Sequence, residues 1–122
     1  MTTLKSYQDL EVWKKSIALA EMVYRLSAGF PAEEKFGLTS QIRRATVSLA
    51  ANLAEGAERT KTGEFLQFLG IASGSLAETE TFLILAGRLG PVREEQSRPV
   101  QAQAADVGRM LNGLKRSLRS KT

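Results

Sequence analysis

Apolar residues recur at three- and four-residue steps in four segments of this chain, separated by glycine- or proline-containing breaks, and no segment alternates with a period of two. The first pattern predicts a helix over about 9–27, with Leu10, Trp13, Ile17, Ala20 and Tyr24 forming one stripe. Ser6 or Asp9 is placed to cap its start, and Gly29 with Pro31 stops it. After Pro31 comes a short acidic turn, Ala32-Glu33-Glu34, and a second helix over about 38–56. Leu38, Ile42, Ala45, Leu49 and Leu53 share one face of it, and Gly56 marks its exit.

A third helix, about 62–89, carries Phe65, Leu69, Ala72, Leu76, Thr79, Leu83 and Ala86, with Thr62 as the expected N-cap and Gly90-Pro91 as the stop. Its alternating four- and three-residue steps suit left-handed antiparallel packing. The fourth helix is expected over about 92–117, on Val100, Ala104, Val107, Leu111, Leu114 and Leu118. Gly108 and Gly113 each cost about 1 kcal/mol there relative to alanine, so it is expected to form by docking on the others. Four long helices with three short connections predict an all-α, antiparallel up-down-up-down four-helix bundle. At 122 residues the chain reads as one domain, 1–122, with a basic, frayed end at about 115–122.

A polar row runs beside the apolar one on the second helix: Gln41, Arg44, Ser48, Asn52 and Glu55. Ser75 and Glu78 lie one helical step apart on the third. With the turn centred near Thr60, antiparallel pairing places Arg44 close to Ser75 and Glu78. The expectation is an Arg44–Glu78 ion pair at the edge of the core, flanked by hydrogen bonds from Ser48 and Asn52. These groups fix the register of two helices whose apolar rows alone permit slippage. A ligand or subunit contact is the less favoured reading of the same residues.

Composition narrows the chemistry. The chain has no histidine and no cysteine, which removes the usual proton shuttle, disulfides, thiolate zinc sites and the Glu-x-x-His pairs of di-iron bundles. No catalytic, cofactor or metal site is expected. The longest apolar stretch, Phe82 to Gly87, is far short of the ~20 residues that cross a bilayer, so no membrane span is expected. The start of the chain carries no apolar signal region, which points to the cytoplasm.

The formal net charge of +4 sits wholly at the C-terminal end. Arg109, Lys115, Arg116, Arg119 and Lys121 face a single acid there, Asp106, while residues 1–105 balance to zero. Such asymmetry attracts nucleic acid or an anionic surface; it also suits the end of a helix, where cations complement the macrodipole. Arg59 and Lys61, in the charged loop before the third helix, offer a second place for a phosphate, although the loop lacks the ordered P-loop pattern and reads equally as a solvated turn.

Four stretches together resemble a known family. They are Tyr7-Gln8-Asp9-Leu10-Glu11-Val12-Trp13, Gly37 through Ala45, Ser48-Leu49-Ala50-Ala51-Asn52-Leu53-Ala54-Glu55-Gly56, and Glu64-Phe65-Leu66-Gln67-Phe68-Leu69-Gly70-Ile71-Ala72-Ser73-Gly74-Ser75-Leu76. The resemblance is to the bacterial 23S rRNA intervening-sequence proteins, relatives of the accessory variability protein of diversity-generating retroelements, and it covers about residues 6–90. It implies a four-helix protomer that assembles into a homopentamer, with no known activity and no cofactor. Some members are encoded within insertions in ribosomal RNA genes, and the retroelement relative binds nucleic acid and a reverse transcriptase. Ala57, Ala77 and Thr79 depart from the family pattern, and nothing after Gly90 carries the resemblance.

The leading expectation is therefore a non-catalytic homo-oligomer that binds RNA or DNA. Arg109, Lys115, Arg116, Arg119 and Lys121 are the first candidates for phosphate contacts, followed by Arg43, Arg59 and Lys61. Five copies would present a charge of about +20. With no aromatic residue beyond Phe82, base stacking is not expected from the tail. The alternative is a protein-interaction scaffold, or an accessory protein for a nucleic-acid enzyme such as a reverse transcriptase. Attachment of the tail to a membrane surface ranks below both, and an enzyme has the least support.

Overall fold

A computed structural model describes residues 6–121 as four α-helices: α1 (Glu11–Ser27), α2 (Leu38–Ala57), α3 (Thr62–Leu89) and α4 (Glu94–Arg119). Two 3-10 turns, Tyr7–Asp9 and Ala32–Glu34, precede α1 and α2. Each helix packs on two neighbours, in the cyclic order α1–α2–α3–α4. Trp13 and Ala54 line one depression and Arg43 bonds Ser27, so α1 and α2 run antiparallel. Gly56 against Phe65 and Phe68 does the same for α2 and α3, and Gly108 against Leu76 with Lys115 against Ser73 for α3 and α4.

Helix boundaries follow local chemistry. Chain direction reverses at Gly90, whose φ of 98° lies in the left-handed region and whose N–H donates to the Ala86 carbonyl. The acidic turn before α2 caps it: the Glu34 carboxylate accepts from the Leu38 N–H at 2.9 Å. Thr62 is the first residue of α3 rather than its cap, a place taken by extended Lys61 without a side-chain bond. Helix α1 starts two residues later than expected. Ser6 caps the 3-10 turn instead, in a reciprocal pair with Asp9, and an edge-on contact between Tyr7 and Trp13, centroids 5.2 Å apart, holds that turn against the helix. Pro99 sits just past the first turn of α4, where the carbonyl it cannot serve belongs to exposed Glu95. The helix then runs on to Arg119, two residues beyond the expected end.

The expected apolar rows of α2, α3 and α4 form the core. Ile42, Leu49, Leu53, Leu69, Leu83 and Leu111 are essentially fully buried, and each fully buried side chain of this size contributes about 1.5–3 kcal/mol. The row on α1 differs from the expected one. Val12, Ser16, Leu19 and Val23 point inward, whereas Ile17 is 36% and Tyr24 43% exposed. The inner row lies roughly 100° around the helix from the expected one, one residue's rotation. Serine disguised it: Ser16 and Ser27 are buried at no hydrogen-bonding cost because each hydroxyl donates to a carbonyl of its own helix, at 2.8 and 3.3 Å. Beside the inner row, Leu10 and Trp13 of the expected row still pack on the core, while Ile17 and Tyr24 leave a second apolar face at the surface.

Helix α3 is long and apolar enough, by length and composition, to cross a membrane. Its inner row, Leu69 to Ala86, packs in the bundle core. Exposed Ile71, Ile84, Leu85 and Leu89 supply much of the remaining hydropathy.

Candidate nucleic-acid interface

The antiparallel order brings the end of α2, the start of α3 and the last turns of α4 to one end of the bundle. Arg59 and Lys61 of the α2–α3 connection therefore share that end with Lys115, Arg116, Arg119 and Lys121. These cations differ in freedom. Arg59 pairs with Glu55 at 3.6 Å and covers the Phe68 ring at 4.8 Å. Lys115 is half-buried and donates to the Ser73 hydroxyl at 2.5 Å, tying α4 to α3. Arg109 pairs with Asp106, which also faces Lys15 of α1 at 3.7 Å. Lys61, Arg116 and Lys121 are exposed and make no ion pair among the described residues.

Arg43 lies elsewhere, in the α1–α2 seam near the end of α1. Its Nε donates to the Ser27 hydroxyl at 2.8 Å and a terminal nitrogen donates to the Tyr24 carbonyl at 3.2 Å, with the guanidinium 4.6 Å from the Tyr24 ring centroid. The candidate residues thus fall into a group at the tail end, Arg109 midway along α4, and an isolated arginine in the seam.

The polar row on α2 and α3 is partly as expected. Ser48 and Ser75 hydroxyls meet at 2.9 Å across the seam, and the Asn52 amide donates to the Ser48 carbonyl and hydroxyl at 2.8 and 3.1 Å. The expected Arg44–Glu78 ion pair does not form; both side chains are exposed, and neither pairs with a carboxylate or a cation among the described residues. The cause is helical precession. Each four-residue step from Asn52 back through Ser48 to Arg44 turns roughly 40° around α2, and the two steps, about 80° in all, carry Arg44 out of the seam onto an exposed face.

Two surface depressions flank α2. One, about 270 Å³, is almost wholly apolar and runs between α1 and α2, lined by Trp13, Ile17, Ala20, Val47, Ala51 and Ala54. The other, about 450 Å³, adjoins it through Val47 and mixes Tyr24 and Phe36 with Lys35, Arg43 and Arg44. Sequence periodicity missed Phe36 and Lys35, because a lone aromatic in a turn belongs to no row. Among the described residues no group of three or more acidic side chains is placed to hold a metal ion.

An all-α bundle with a serine contact between its helices places the chain in the class of small helical bundles. The chain belongs to the 23S rRNA-intervening sequence protein family, whose model matches residues 8–113. Among solved structures it is similar to a protein of unknown function from the S23 ribosomal protein family of Bacteroides thetaiotaomicron. That chain is 27% identical, with a TM-score of 0.79, and the match covers 85% of this chain and 97% of that one. No curated protein matches the chain.

Proposed function

We propose that this chain is a non-catalytic, self-associating bundle that binds nucleic acid, RNA foremost, through its basic surface. The observation that carries the reading is the set of exposed cations without carboxylate partners at the tail end, Lys61, Arg116 and Lys121, beside Lys115 and Arg119. Cations not already neutralised within the protein release counterions when they meet phosphates, which gives sequence-tolerant, salt-sensitive binding. Self-association is supported by the second apolar face of α1 and the groove it forms with α2, and a homopentamer is the assembly the family resemblance implies. Symmetry would then repeat each basic end around a ring.

A second reading, a scaffold for a partner protein, is favoured by the same apolar groove. Titrating a labelled structured RNA and following anisotropy at rising salt separates the two. Saturable binding released by salt supports the nucleic-acid reading. Absence of binding at low salt overturns it and leaves the scaffold.

A further inference from the structure

The depression around Phe36 does not fit a solvated turn. Phe36 is 87% exposed, the most exposed large apolar side chain described, and it projects from the turn between α1 and α2 with no core contact of its own. Lys35 Nζ lies 5.5 Å from its ring centroid. Across the depression stand Arg44 and the fixed pair of Tyr24 and Arg43. Three cations line it and no carboxylate does. None of the three makes an ion pair among the described residues. The nearby Glu34 carboxylate is occupied with the Leu38 N–H, so an incoming anion would be met by side chains and not by the start of α2.

An unpaired nucleotide needs a flat apolar face for its base and cations a few ångströms away for its phosphate. Phe36 offers the face, and Lys35 and Arg44 the charge. Arg43 adds a guanidinium plane already immobilised on Tyr24 and on the Ser27 hydroxyl, so little side-chain entropy remains to be lost on binding. A duplex buries its bases in the stack and has no use for the aromatic. We infer that the Phe36 depression, remote from the basic tail end, is a stacking subsite for unpaired nucleotides of a bound RNA. The inference rests on the nucleic-acid reading and deepens it: the tail end would grip phosphates of any strand, and the Phe36 site would favour single-stranded segments.

The test compares a short fluorescein-labelled single-stranded RNA with the same sequence annealed to its complement, against the wild-type chain, Phe36→Ala and Phe36→Trp. Phe36→Ala should weaken single-strand binding about tenfold, the loss expected for one stacked base, and leave duplex binding unchanged, while Phe36→Trp retains single-strand affinity. Because Phe36 is exposed, the variants should fold as the wild type, which circular dichroism checks. Equal single-strand affinity of wild type and Phe36→Ala overturns the stacking site and leaves the general reading standing. If neither RNA binds the wild type at low salt, both fail, and the exposed aromatic is then a contact for protein.

Discussion

Ser48 of α2 and Ser75 of α3 join their hydroxyls at 2.9 Å, with Asn52 donating into the same serine from the next turn. Asn52 takes one acceptor site on Ser48, and either hydroxyl can serve as the donor of the bond between the two serines. This small polar knot is the part of the expected α2–α3 network that forms, without the Arg44–Glu78 ion pair. Ser75→Ala should cost about 1 kcal/mol, the usual net worth of such a bond. A double-mutant cycle with Ser48→Ala should show positive coupling. Glu78→Gln should leave thermal stability unchanged, since no cation among the described residues pairs with that carboxylate. A clear loss of melting temperature in Glu78→Gln would return the ion pair to the account.

Glycines on the two sides of α2 and α3 should respond in opposite directions. A methyl group at Gly56 would sit 2.7 Å from the Phe68 Cβ and 3.0 Å from a Phe65 ring carbon, so Gly56→Ala should destabilise by about 1–3 kcal/mol through overpacking. At Gly70, on the outer face of α3, a methyl group meets nothing within 4 Å. Gly70→Ala should stabilise the fold by up to about 1 kcal/mol through helix propensity alone. Chemical denaturation of both variants checks the pair.

Thr46 is fully buried in α2, and its hydroxyl is the one buried side-chain polar atom among the described residues without a hydrogen-bond partner. Burying such a group costs about 1–3 kcal/mol. Thr46→Val, similar in shape and apolar, should therefore raise stability by about 1 kcal/mol. A destabilised valine variant would mean that the hydroxyl is satisfied in solution.

The apolar groove between α1 and α2 bears on assembly. Ala51 lies exposed within it, so Ala51→Glu should fold normally while placing a charge in the groove. Native mass spectrometry should show an oligomer for the wild type and a monomer for the variant. An unchanged oligomer would move the subunit contact to another face, such as the one on α3 that exposes Ile71, Ile84 and Leu85.

Most of the fold was legible because the breaks are chemical. Pro31 lies just beyond α1, and Gly90 with Pro91 closes α3, while the rows on α2, α3 and α4 consist largely of residues with no better place than a core. The face of α1 was harder to read, since two apolar rows share one helix and the inner one includes serines that look polar until their hydroxyls find carbonyls. Arg44 was misplaced because a four-residue row drifts around its helix, and a row that starts at the edge of a seam loses its far end to solvent. Grouping the tail with Arg59 and Lys61 needed only the antiparallel order. The setting of Phe36 needed three dimensions, because its neighbours Tyr24, Arg43 and Arg44 come from two different helices.

The central claim is that exposed cations at the tail end bind phosphates. The most direct measurement is the slope of log affinity against log salt for a labelled RNA, taken for the wild type and for Arg116→Gln/Lys121→Gln. Each lost phosphate contact should flatten the slope by about 0.7 to 0.9, so a doubly substituted chain should bind more weakly and with a visibly shallower slope. A wild-type affinity indifferent to salt, or a slope unchanged in the variant, would contradict the account.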